Sequence, residues 1–275
     1  MSYSQGEPNS EREDEARIAD ILLKFENGDS TTAIDALRVQ VNELKSDSPE
    51  KAVKLAKAIE ERAISLPDGP RAHVYNILGE AHLYASDYNK AKDAFQETAK
   101  TDLPKLPEKE KDITPEQRDA YSRTIHAQGR LADAAFHSGD YESASNQFEA
   151  QINTQESFPP EPVGPRACAL YGKAASEFMK EEGDIANVLD ILSTAKTLLQ
   201  GVQGEDTLSD NINNLIAAAE AMNEVDREDQ QNRRQHMHEA IKNQDGGKKG
   251  VKHINFAELH DTAVSEVEKT QEEEE

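Results

Sequence analysis

Cysteine is almost missing from this chain: one residue in 275, Cys168, with no tryptophan at all and aromatic residues at only 5%. A single thiol rules out an internal disulfide, and the expected home is a reducing compartment, the cytoplasm. Long apolar runs are missing too. No stretch approaches the roughly 18 apolar residues that a helical membrane span needs, and the opening residues hold no apolar segment of signal type. Basic residues are scarce, 31 Lys and Arg against 54 Asp and Glu, a net charge of -23. Such a field repels nucleic acid and anionic membranes, so neither is expected as a partner. Nor does any stretch alternate apolar and polar residues with β-branched enrichment. The sequence predicts an all-α protein.

What the chain does have is a recurring ten-residue pattern: Gly or Ser, then Asp, three variable residues, a small apolar residue, three more, then Phe or Leu. It starts at Gly28-Asp29, Ser86-Asp87 and Gly139-Asp140, and in altered form at Gly183-Asp184. The Gly or Ser can end one helix, the Asp can cap the next, and apolar pairs such as Ala91 with Phe95 and Ala144 with Phe148 share one face. A repeated helix-turn-helix of this kind predicts an α-solenoid of antiparallel helical hairpins.

Punctuation sets the expected boundaries. Residues 1–13 carry Gly and Pro without a helical period and are read as a disordered leader. A single helical-repeat domain is expected over 14–225, with an insertion loop at 101–114 where Pro104, Pro107 and a run of charges interrupt the pattern. Thr114-Pro115 restarts a helix, and a helix near Ser209 with Ile212, Leu215, Ala219 and Met222 on one stripe would cap the array. Residues 226–275 are read as a charged helical extension followed by a disordered acidic tail, since Gly246, Gly247 and Gly250 fall close together and Glu272 to Glu275 end the chain. Within that tail Phe256, Leu259, Val264 and Val267 form a candidate linear motif for docking into a groove. The basic stretch Arg233 to Lys252 is read as a solvated linker.

The residues Tyr75, Leu78, Gly79, Ala91, Phe95 and Pro104 resemble a tetratricopeptide repeat, whose pattern of about 34 residues places an aromatic, Leu, Gly, Ala, Phe and Pro at these intervals. Leu131, Ala132, Ala144 and Phe148 form a second good copy, Tyr171 and Gly172 belong to a looser one, and the copy at Gly28 keeps only its second helix. That resemblance implies a concave groove lined by the first helix of each repeat. By analogy the groove holds His73, Asn76, Glu80 and Tyr84, then His126, Asp133 and His137, then Arg166, Lys173 and Glu177. Such mixed charge suggests a polar peptide ligand. The Lys and Asn clamp that some family members close on a C-terminal carboxylate is not matched, because Glu80, Gly129 and Asp133 stand near those places.

Signs of chemistry are few. His236 and His238 lie two apart in a predicted helix, pointing about 200° from each other, so no metal site is expected. Cys168 shares a helical stripe with Tyr171 and Ala175 and reads as a small core residue. The Gly and Lys run from Gly246 to Gly250 lacks a phosphate-loop arrangement. These readings point to a non-enzymatic adaptor or scaffold that needs no cofactor and holds a peptide or helix of another protein. The alternative is an acidic chaperone or escort for a basic protein, acting through net charge and the Glu-rich tail. A small helical enzyme, or the regulatory half of one, is the third reading.

Overall fold

The computed structural model describes residues 7–100, 102–107, 109–159, 163–243 and 250–274. Among these the chain is all-helical and no strand occurs. It divides into two compact units, Met1–Asp102 and Leu103–Glu275. The division falls inside the expected insertion, so the span read from sequence as one domain over 14–225 is two bodies, and the second also takes in the C-terminal residues.

In the first unit α1 (Glu7–Glu26), α2 (Ser30–Leu44), α3 (Pro49–Ala63), α4 (Asp68–Tyr84) and α5 (Tyr88–Ala99) each pack on their chain neighbours, and α2 also meets α4. Ile21, Leu37, Ile59, Val74 and Leu78 build the core. Helix α1 starts at Glu7, well inside the stretch read as a leader; residues 1–6 lie outside the described part.

The second unit holds α6 (Pro115–His137), α7 (Tyr141–Glu156), α8 (Val163–Met179), α9 (Ile185–Leu198), α10 (Asp206–Asn223), α11 (Arg227–Asn243) and α12 (Phe256–Glu274). Neighbours from α6 through α10 pack in sequence, and alternate helices α6, α8 and α10 also adjoin. Thr114 opens α6 with a capping box, its hydroxyl accepting from Gln117 N–H while the Gln117 side chain accepts from Thr114 N–H. Helix α12 packs on α10 and α11. The tail read as disordered is therefore helix up to Glu274, and its Phe256, Leu259, Ala263 and Val267 are buried. Local composition favoured disorder, but an apolar stripe with a surface to cover wins over weak local propensity.

The repeated turns share one geometry. Gly28, Ser86 and Gly139 all adopt left-handed backbone, with φ of 79°, 57° and 82°. In each the following Asp N–H donates to a carbonyl five residues back, as in Asp29 to Lys24, Asp87 to His82 and Asp140 to Ala135. This is the Schellman closure, which satisfies carbonyls that the helix end leaves open. Asp29 and Asp140 then cap α2 and α7 by accepting from Thr32 N–H (3.1 Å) and Ser143 N–H (3.2 Å). Asp87 instead pairs with Lys90 and stands 3.6 Å from His82. The Gly183 turn is of another kind, outside the left-handed region, yet Asp184 still caps α9.

Hairpin packing depends on two glycines. A side chain at Gly79 would meet the Phe95 ring at 2.7 Å, and one at Gly172 would run into the Phe148 ring. Each glycine lets an aromatic ring of the neighbouring helix lie against backbone, the close approach that a Cβ would forbid.

Candidate functional site

The candidate site lies where α6, α8 and α10 adjoin in the second unit, and the chain itself occupies it. Residues 250–254 cross all three helices. Val251 N–H donates to the Asp133 carboxylate of α6 (3.0 Å), Asn211 of α10 donates to the Lys252 carbonyl (2.6 Å), and the Tyr171 hydroxyl of α8 donates to the Ile254 carbonyl (3.0 Å). All three bonds grip main-chain atoms.

Gly250 begins the crossing with φ of 79° and ψ of 163°, a conformation open almost only to glycine, and a Cβ there would sit 2.8 Å from the Asp133 carboxylate. Beyond the crossing Phe256 enters a socket of three rings. Its centroid lies 6.3 Å from Phe136, 6.4 Å from Tyr171 and 6.0 Å from Phe178, with the planes near perpendicular, the favoured edge-to-face arrangement. Each main-chain hydrogen bond contributes about 1 kcal/mol net, while burying a phenylalanine contributes about 1.5–3 kcal/mol, so Phe256 is the principal anchor.

Helix α11 closes one side. The Arg234 guanidinium donates to three carbonyls at the end of α8, those of Phe178 (2.8 Å), Glu181 (3.1 Å) and Gly183 (3.3 Å). A cation at a helix C-terminus also suits the macrodipole. Burial and the nearby Arg227 hold its pKa below the ordinary value. Met237 and Ile241 are buried from the same helix, so the stretch read as a solvated linker is, as far as Asn243, packed structure. Residues 244–249 lie outside the described part.

Two histidines take defined roles nearby. His238 Nδ1 lies 2.6 Å from the Tyr141 hydroxyl, whose pKa burial raises. Arg233 lies 3.1 Å from His260 Nε2 and can only donate, which puts the His260 proton on Nδ1. Both rings are neutral, with pKa values lowered first by burial. Cys168 is partly buried, and burial pushes its thiol up to about 12, so it stays protonated at neutral pH.

The residues assigned to the groove by analogy fall in several places. Asp133 is at the site and holds Val251. Arg166, Lys173 and Glu177 point from α8 to α7 instead: Arg166 pairs with Glu156, Lys173 with Glu149 (2.5 Å), and Glu177 accepts from the Ser145 hydroxyl. His126 is exposed on α6 and His137 is buried. In the first unit His73, Asn76, Glu80 and Tyr84 are partly buried on α4, and Lys45 at the end of α2 lies 3.9 Å from Glu80 and 4.5 Å over the Tyr84 ring. Of the tail motif, Phe256, Leu259 and Val267 are buried in their own unit and Val264 only partly. Sequence reasoning missed Tyr171, Asn211 and Phe136 as site residues. The stripe Cys168, Tyr171, Ala175 was the available signal.

A second concavity, of about 920 Å³, opens between the start of α7, the end of α8 and α11. Asp140, Glu142, Glu181, Glu182 and Asp184 line it against Lys180 and Arg234. Among the described residues no cluster of His, Cys, Asp and Glu is arranged to hold a metal ion, and no helix is long and apolar enough to cross a membrane. Comparison with known proteins finds no matching family model, no matching curated protein and no matching solved structure.

Proposed function

We propose that this chain is a non-enzymatic interaction scaffold, a tetratricopeptide-like array of helical hairpins whose second unit binds polypeptide across α6, α8 and α10. One observation supports this above the rest: that face already holds a short 3-10 turn, Val251–His253, by Val251 N–H and the Lys252 and Ile254 carbonyls. Main-chain contacts next to an aromatic socket let a surface hold a chain and still select among side chains. The helix pairing, with neighbours and alternate helices both in contact and Gly172 against Phe148, is the packing expected of such repeats.

The test is a peptide display library panned on the full-length chain, alongside a variant carrying Asp133→Ala, Tyr171→Phe and Asn211→Ala. Enriched peptides are expected to bind the variant at least ten-fold more weakly. Failure to enrich any sequence, or equal binding to both chains, would refute the scaffold reading.

The acidic-escort alternative draws on the carboxylates around the second concavity. Panning separates the two. An escort would select Lys-rich and Arg-rich peptides whose binding collapses between low and high salt, whereas binding at the aromatic socket persists because burial of apolar surface is not screened.

A further inference from the structure

The resident segment reveals both the partner's chemistry and how access to the site is governed. We infer that residues 250–267 are a built-in competitor, and that the partner is an acidic amphipathic helix headed by an aromatic residue and entered through a single 3-10 turn. This rests on the scaffold reading above.

Three observations support it. The anchors Phe256, Leu259, Ala263 and Val267 fall at i, i+3, i+7 and i+11, one helical stripe, and all are buried. The opposite face is acidic, with exposed Glu258, Asp261 and Glu266. Helix α11 beside it carries Arg233, which bonds His260, while the Glu266 carboxyl is held below its ordinary pKa first by Lys269 of α12 itself and least by His236 of α11. An acidic apolar helix is thus what this surface accommodates locally, despite the net charge of the whole chain.

The covalent tie from α11 to the segment is short, residues 244–249, and includes Gly246 and Gly247. A short tether keeps the segment at a local concentration on the order of millimolar, so an external ligand competes against that concentration. Grip on the main chain is shared by any ligand, and the difference between ligands lies in the socket and stripe. The partner must match Phe256 and its three followers or it does not displace them.

Gly250 provides a selective way to unseat the segment. A Gly250→Val side chain cannot adopt the local backbone and collides with Asp133, yet Phe136, Tyr171 and Phe178 are untouched. The probe is a fluorescein-labelled synthetic peptide of residues 250–275, followed by polarisation against full-length wild type, Gly250→Val and, as an independent unseating, Phe256→Ala. Circular dichroism checks helicity, and amide hydrogen exchange at Val251 and Leu259 reports release.

Both variants are expected to bind the probe at least ten-fold more tightly than wild type, with faster exchange at those amides. Equal probe affinity for wild type and a variant whose exchange shows release would overturn the inference. If the probe binds no chain while library peptides still need Asp133, Tyr171 and Asn211, the competitor fails and the scaffold stands. If library peptides fail as well, both fall. A concentration-dependent dimer of the wild-type chain with exchanged segments would also overturn it.

Discussion

At the scale of single residues, Arg234 ties α11 to the end of α8. Its exposure is 5%, and its three carbonyl partners lie in the last turn of α8 and the loop that follows. Lysine keeps the charge but loses the planar fork, so it cannot reach all three. Arg234→Lys is expected to cost about 2–4 kcal/mol in denaturant unfolding; a midpoint unchanged from wild type would contradict the capping role. Histidines set the pH response. His82, His137, His238 and His260 all have pKa values lowered mainly by burial. A lowered folded pKa means that the fold favours the neutral ring. Its stabilisation is complete above the unfolded value of about 6.5 and is lost as pH falls below that value towards the folded pKa. At His238 the surroundings agree in sign, Lys242 outweighing Glu239, and at His260 Arg233 adds to the effect of burial against Asp261. Thermal unfolding is expected at lower temperature at pH 5.5 than at pH 7.5, with a smaller drop in a His238→Gln, His260→Gln double variant. An equal drop in both chains would rule these two rings out.

At the scale of elements, the turn between hairpin helices makes one position differ usefully from its equivalents. Ser86 sits at φ of 57° where Gly28 and Gly139 stand in the related turns. An L residue there is strained by about 1 kcal/mol, partly offset because glycine loses more freedom on folding. Ser86→Gly is expected to stabilise by about 0.5–1 kcal/mol. Gly139→Ala should do the reverse, losing about 1–3 kcal/mol, because its Cβ would also strike the His238 ring. Chemical denaturation of the two variants checks the pair, and the same sign for both would refute the shared geometry. These turns were legible in the sequence, since Gly or Ser followed by Asp is a signal written within a few residues. The face of α8 was not. Analogy placed Arg166, Lys173 and Glu177 in a groove, whereas each has a partner on α7. Their charges could be read locally, but those partners could not. Helix α12 shows the same limit: its stripe from Phe256 to Val267 was visible, while the rings that receive it come from α6 and α8.

At the scale of the whole molecule, the two units differ in how their parts are brought together. The first is built from helices that follow one another in sequence, α1 to α5. The second depends on a long return, since Asp133 meets Val251 across 118 residues. Contacts between distant residues close slowly, because the loop entropy is lost before any contact forms. That return has a consequence for how the protein comes into being. A ribosome, working from the N-terminus, finishes Phe136, Tyr171 and Phe178 long before it adds Phe256. Until then the nascent second unit lacks the ring that fills its aromatic cup.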